Sequence, residues 1–160
     1  MATWGEFAAA APELAERGSK RLGVGVALIG TVTRDGAPRV HPVTPLIAGG
    51  RLFVFVAVHT VKYANLRRDD RYALHAVPGK EDEEFLLIGR AVEADDWASR
   101  FLAASAAVKI GMISKDDVLF ELHIERAHWA VWEGLGTPDI HKISKRWQET
   151  RTDPDAGREG

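Results

Sequence analysis

Three consecutive segments of the chain decide its fold: VGVALIGTVT (residues 24–33), RDGA (residues 34–37) and PRVHPVTPLI (residues 38–47). The first and third segments are rich in β-branched and apolar residues, which favour strands. The middle segment contains the Asp-Gly pair that is typical of a tight hairpin turn. The three segments therefore predict two antiparallel strands joined at residues 34–37.

Strand patterns continue along the chain. A turn sequence, AGGR, precedes LFVFVAV (residues 52–58), a run that is apolar on both faces and so predicts a core strand. Four further strands are predicted at residues 71–77, 84–94, 118–125 and 127–133. Helical patterns open the chain and recur at residues 61–68 and from Asp95 or Asp96 to about Lys109. Six or seven strands in hairpin order predict a mainly β fold, an antiparallel β-barrel with accessory helices.

The composition narrows the class of protein. A length of 160 residues suits one domain, predicted over residues 1–150, with a flexible tail at residues 151–160. The net charge of −2 gives no field that would attract nucleic acid. Because cysteine is absent, redox chemistry would have to be carried by a cofactor. The sequence shows neither a signal-peptide pattern nor an apolar run of membrane-spanning length, so we expect a cytoplasmic protein without membrane partners.

Four residues are candidates for binding an anion. Arg39 and His41 alternate on one face of the second predicted strand, and Lys62 opens a helix that Thr60 is expected to cap. A strand cation, a helix-start lysine and free helix amides can converge on a phosphate. The alternative is a solvated arginine, a structural cap and a surface lysine.

Other chemistries find no support in the sequence. The six histidines lack the spacing of a metal site, and no serine lies in a Gly-x-Ser-x-Gly elbow. We therefore predict neither a metal site nor a catalytic side chain. Trp129 and Trp132 lie three residues apart on a predicted strand, so they point to opposite faces and at most one can enter the core.

Several motifs agree in order and spacing with one known family. They are GAPRVHPV (residues 36–43), GRLFVF (50–55), TVK (60–62), NLRRD (65–69) and RYAL (71–74). Together they resemble the core of the pyridoxamine 5′-phosphate oxidase-like superfamily, over roughly residues 15–135. The resemblance implies a six- to seven-stranded antiparallel split β-barrel of the FMN-binding type.

The resemblance also implies roles for named residues. Arg39 and Lys62 would hold the flavin phosphate, with Thr60 beside them. The backbone of His41, Pro42, Val43 and Thr44 would lie along the isoalloxazine ring, and Val40 of the same strand would also belong to the cofactor site. In the family each cofactor site is completed by a second subunit, which implies a homodimer, and Trp129 could stack on the flavin across that interface. Packing of Trp129 in the core or at a dimer contact is the alternative.

Two functions follow from the resemblance. The first is an oxidoreductase in which FMN, or the deazaflavin coenzyme, passes hydride or electrons to a small organic substrate. The second is a non-catalytic carrier or stress protein of the same fold that binds flavin or haem. Oxidation of vitamin B6 is not expected, because the chain lacks the long C-terminal segment that reads that substrate in true pyridoxamine phosphate oxidases.

Overall fold

The computed structural model describes residues 1–107 and 113–150. The helices are α1 (Trp4–Ala10), α2 (Pro12–Leu22), α3 (Val61–Arg68) and α4 (Trp97–Ala107). The strands are β1 (Ala27–Val32), β2 (Pro38–Val43), β3 (Leu46–Ala48), β4 (Arg51–Ala57), β5 (Arg71–Ala76), β6 (Glu84–Glu93), β7 (Asp117–Glu133) and β8 (His141–Gln148). The predicted tail at residues 151–160 and the predicted end of the second helical pattern at residues 108–109 lie outside the described residues.

The strands form one antiparallel sheet in the order β2-β1-β5-β6-β7-β4-β3, and β8 pairs with β7 beside this path. The strand β7 is shared, because its first part pairs with β4 and its last part pairs with β8. Among the described strands, β2 and β3 end the path without pairing to each other, so the barrel is split. The predicted mainly β, antiparallel split-barrel fold is confirmed, with eight strands where six or seven were predicted.

The difference in strand number has local causes. Residues 118–125 and 127–133 form one strand of 17 residues and not two, with a register shift opposite Ile88 and Gly89. A Cβ atom at Gly89 would lie 1.9 Å from the carbonyl oxygen of His123, so the two backbones meet there. The predicted strand at residues 38–47 divides into β2 and β3, and β8 follows where no strand was predicted.

The two N-terminal helices close the inner face of the sheet. Thr3 and Glu6 form the predicted capping box of α1, in which the Thr3 amide donates to Glu6 Oε2 at 2.7 Å. Pro12 does not continue α1 but begins α2, where a missing N–H costs nothing. Gly18 of α2 lies directly on the ring of Phe85, since a Cβ there would be 2.2 Å from Phe85 Cζ. In the described ranges, no helix is long and apolar enough to cross a membrane.

The outer face of the sheet is covered over only part of its area. The helix α4 packs on it through a second core cluster that includes Leu46, Phe53 and Leu119. Asp96 caps this helix, as one of the two predicted alternatives, by accepting from the Ser99 amide at 3.0 Å. Away from α4, Leu28 and Val40 remain exposed on the outer face. This leaves an apolar strip across β1 and β2 without a covering element among the described residues.

Candidate functional site

The start of α3 is joined to the backbone of β2. Thr60 caps the helix, because its hydroxyl oxygen accepts from the Tyr63 amide at 3.3 Å and donates to the Ala57 carbonyl at 2.7 Å. Two residues later, Lys62 Nζ donates to the Pro42 carbonyl at 2.9 Å. The start of α3 therefore lies against β2, and we call this junction, defined by Arg39, His41, Thr60 and Lys62, the β2–α3 cleft.

Strand register places the β2 side chains of this cleft. Arg39 and His41 lie opposite Thr31 and Ile29 of β1, and because paired residues share a face, both side chains lie on the inner face. His41 Nε2 is 3.3 Å from Thr31 Oγ1, which also accepts from Asn65 Nδ2 at 3.0 Å. This chain of hydrogen bonds links β2, β1 and α3. The structure places Arg39 and His41 on one face of β2 and Thr60 and Lys62 at the start of α3, and their binding of a ligand stays a prediction.

Thr31 and Asn65 were not predicted as parts of the site. Both side chains are buried, at 2% and 3% exposure, although both are polar. A buried polar side chain needs a partner, and here each satisfies the other. The signal in the sequence is weak, because Thr31 fits an ordinary strand pattern and Asn65 fits an ordinary helix.

The electrostatics of the cleft are those of an unneutralised positive site. Burial, followed by the positive charges of Lys62 and Arg39, lowers the pKa of His41. Burial also lowers the pKa of Lys62, against the opposing influence of the Asp117 carboxylate. Neither Arg39 nor Lys62 forms a salt bridge with any side chain in the described part of the chain. A half-buried cation without a counter-ion favours an anionic ligand.

The rest of β2 presents different groups to its two sides. Val40 and Pro42 lie on the outer face, whereas Val43 is buried in the core and Thr44 is half-buried just beyond the strand. Because β2 pairs with β1 along one edge and is the end of the sheet order, its other edge carries backbone groups outside the ladder. The Pro42 carbonyl, which Lys62 occupies, is one of them.

Trp129 is not brought to this cleft. Its side chain is 4% exposed, its indole N–H donates to Glu83 Oε1 at 2.8 Å, and the Arg17 guanidinium lies 3.9 Å above its ring. The ring is thus enclosed by its own chain, which is the packing alternative and corrects the expectation that it stacks on a ligand. Trp132, on the opposite face of β7, is half-buried beside Lys142.

Neither a protein-family model nor a curated protein matches the sequence. Solved structures do match the fold. A heme binding protein from Mycobacterium smegmatis aligns with 82% of this chain at 22% identity and a TM-score of 0.59. A putative pyridoxamine 5′-phosphate oxidase from Listeria innocua aligns with 72% of this chain and 96% of its own, at 18% identity and a TM-score of 0.58. The chain has the pyridoxamine 5′-phosphate oxidase-like fold.

The split barrel recurs in a further neighbour of similar size. A Clostridium acetobutylicum protein of the pyridoxinephosphate oxidase family, related to general stress protein 26 of Bacillus subtilis, aligns with 88% of this chain and 94% of its own. Its identity is 16% and its TM-score is 0.58. By contrast, this chain spans only 58% of the length of the Mycobacterium smegmatis heme binding protein. A heme binding protein and a protein of the pyridoxinephosphate oxidase family share this fold, so the site and not the fold has to decide function.

Proposed function

We propose that the β2–α3 cleft holds the phosphate of FMN, or of the deazaflavin coenzyme, and that the protein is a flavin-dependent oxidoreductase. The observation that carries this proposal is the position of Lys62. Its ammonium group is half-buried, is held 2.9 Å from the Pro42 carbonyl, and shares the cleft with Arg39 without a carboxylate partner in the described residues.

The residues present fit a phosphate monoester. Lys62 and Arg39 supply positive charge from two separate elements, and the first amides of α3 lack partners within the helix. The Thr60 hydroxyl already caps the helix and donates to the Ala57 carbonyl, so its part is to hold the helix start in place. Charge-assisted contacts of this kind contribute about 1.5–3 kcal/mol each, so two of them can select a phosphorylated ligand over its unphosphorylated form.

The remaining groups of β2 would orient the flavin ring. A bound flavin supplies hydride or electron transfer to a small organic substrate, and no acid or base of the protein is required for that. The backbone from His41 to Thr44 would lie along the ring. The imidazole of His41, whose pKa burial lowers and whose Nε2 lies 3.3 Å from Thr31 Oγ1, would be a fixed hydrogen-bond partner for the ligand.

A homodimer is the second part of the proposal. Val40 is 63% exposed and Leu28 is 39% exposed on the outer face, next to a shallow cavity of 230 Å³ that borders Gly30, Val32 and Pro38. An exposed apolar strip of this kind is typical of an interface. A second copy packed on the strip would also exclude water from one side of β2.

The test compares FMN with riboflavin, which lacks the phosphate. In the wild-type protein FMN should bind at least tenfold more tightly than riboflavin, as measured by quenching of flavin fluorescence. Arg39→Ala and Lys62→Ala should each weaken FMN binding by roughly tenfold or more and leave riboflavin binding nearly unchanged. Arg34→Ala, at an exposed arginine in the β1–β2 turn, is the matched control. If the variant that combines Arg39→Ala with Lys62→Ala still binds FMN more tightly than riboflavin, the placement of the phosphate is refuted.

A non-catalytic carrier is the second candidate function. The structural likeness to a heme binding protein supports it. Haemin titration followed at the Soret band separates the two candidates. An oxidoreductase should bind FMN more tightly than haemin and bleach when a nicotinamide donor is added, whereas a haem carrier should show the reverse preference and no bleaching.

A further inference from the structure

A second pocket lies on the outer face of the sheet, where β6, β7 and β8 run side by side. Its volume is 460 Å³, within the range of small-molecule sites. Six of its lining residues form two rows across the three strands: Leu86, His128 and Arg146 in the first, and Ile88, Arg126 and Gln148 in the second. We call this the cationic pocket.

In both rows the β6 side of the pocket is apolar, and the β7 and β8 side is polar or charged. Leu86 and Ile88 provide an aliphatic floor on β6, while Arg126 and Arg146 stand on β7 and β8 at diagonal positions. Diagonal neighbours on adjacent strands are about 7–8 Å apart, which lets two guanidinium groups close on one carboxylate.

The charge of the pocket is not neutralised by its surroundings. Among the described side chains, neither Arg126 nor Arg146 has a salt-bridge partner. The nearby Glu84 carboxylate is 3.4 Å from Lys142 Nζ and so is already paired. A pocket with two free guanidinium groups and no acid in its lining is suited to an anion.

His128 provides an independent indication of a ligand. Its Nε2 atom is buried, yet it has no hydrogen-bond partner among the described residues. Buried polar atoms are nearly always satisfied, so an orphan atom between an apolar floor and two arginines indicates a group that is supplied from outside.

We propose that the cationic pocket binds a small organic acid, with its apolar body on Leu86 and Ile88 and its carboxylate between Arg126 and Arg146. His128, which shares a row with Leu86 and Arg146, borders the carboxylate. A second copy of the chain is a poorer occupant, because a self-complementary contact would bring four arginines together. The pocket is built on strands other than β2, so this site is separate from the β2–α3 cleft.

The experiment uses 1-naphthoate as the probe and the uncharged 1-naphthamide as its isosteric control. Binding to the full chain is followed by naphthalene fluorescence. We expect naphthoate to bind at least tenfold more tightly than naphthamide, and Arg126→Gln and Arg146→Gln each to weaken it about tenfold. Arg34→Gln, which removes the same charge from the β1–β2 turn, should leave the affinity unchanged.

Three outcomes would overturn the proposal. They are equal binding of naphthoate and naphthamide, unchanged affinity in both arginine variants, and loss of naphthoate binding in Lys62→Ala, which would move the probe to the β2–α3 cleft. FMN titration of the same variants keeps the two sites apart. If Arg126→Gln weakens the binding of naphthoate but not that of FMN, the proposal for the cationic pocket is supported independently of the flavin proposal.

Discussion

Two cations of this protein, Arg51 on strand β4 and Lys62 at the start of helix α3, have different surroundings. Arg51 of β4 donates to Glu121 Oε2 at 2.5 Å and to Ser99 Oγ at 2.9 Å, and Ser99 in turn donates to Asp96 at 2.6 Å. Lys62, in the β2–α3 cleft, has a backbone carbonyl as its partner and no carboxylate within a salt bridge among the described residues. Arg51 links α4 to the sheet through hydrogen bonds. Lys62 is held in position by a carbonyl group, so its positive charge has no carboxylate partner among the described residues.

The pKa directions show the same contrast. The hydrogen bond that Arg51 donates to the Glu121 carboxylate raises the pKa of Arg51, whereas burial lowers the pKa of Lys62. The ion pair of Arg51 therefore contributes to the stability of the fold. The half-buried charge of Lys62 lowers that stability unless an anionic ligand binds. The difference distinguishes a structural cation from one that is available for binding.

The largest effect should come from breaking the paired side of this comparison. Arg51→Met would leave the Glu121 carboxylate, 6% exposed, without its arginine partner and with only the His123 imidazole, 3.6 Å away, and should lower the free energy of unfolding by about 3–5 kcal/mol. Urea unfolding measures this. In the double variant that combines Arg51→Met with Glu121→Leu, most of the lost free energy of unfolding should be restored, because the buried carboxylate is also removed. A double variant as unstable as the single one would show that packing, and not pairing, dominates.

Removing the unpaired cation should have a much smaller effect on stability. Lys62→Met keeps the aliphatic stem and loses one hydrogen bond to Pro42, but it also removes the cost of burying the charge. We expect the free energy of unfolding to change by no more than about 1 kcal/mol in either direction. Urea unfolding is again the measurement. A loss as large as that of Arg51→Met would place Lys62 among the structural cations and contradict the comparison.

The smallest effect is a shift in the titration of His41. Its pKa lies below the ordinary value of 6.5, because of burial and then of the charges on Lys62 and Arg39. Lys62→Met should therefore raise the pKa of His41, which NMR of the imidazole Cε1 proton can follow, and Arg34→Gln should leave it unchanged. An unchanged pKa of His41 in Lys62→Met would show that the charge of Lys62 does not act on the imidazole.

The same shift predicts how stability depends on pH. Since the pKa of His41 is lower in the folded chain than in the unfolded one, the unfolded chain takes up the proton first. Stability should fall as the pH decreases from 6.5 through the folded-state pKa. The fall should be shallower in Lys62→Met.

The sequence by itself determined the local elements and the side chains that share a face. The Asp-Gly turn specified the β1–β2 hairpin, Thr60 specified the start of α3, and period-two alternation placed Arg39 with His41. These features depend on neighbours a few residues away, which the sequence displays directly. These patterns predicted an antiparallel barrel, the resemblance of the motifs predicted the pyridoxamine 5′-phosphate oxidase-like fold, and solved structures confirm that fold.

Only the tertiary structure decided the features that depend on distant contacts. Alternation showed that Trp129 and Trp132 point apart, but Glu83 and Arg17 decided which of them is enclosed. The continuity of β7 depends on Gly89 of another strand, and the cationic pocket depends on the register of three strands. Such contacts join residues that lie far apart in the chain, so no local pattern records them, and packing alone brings them together.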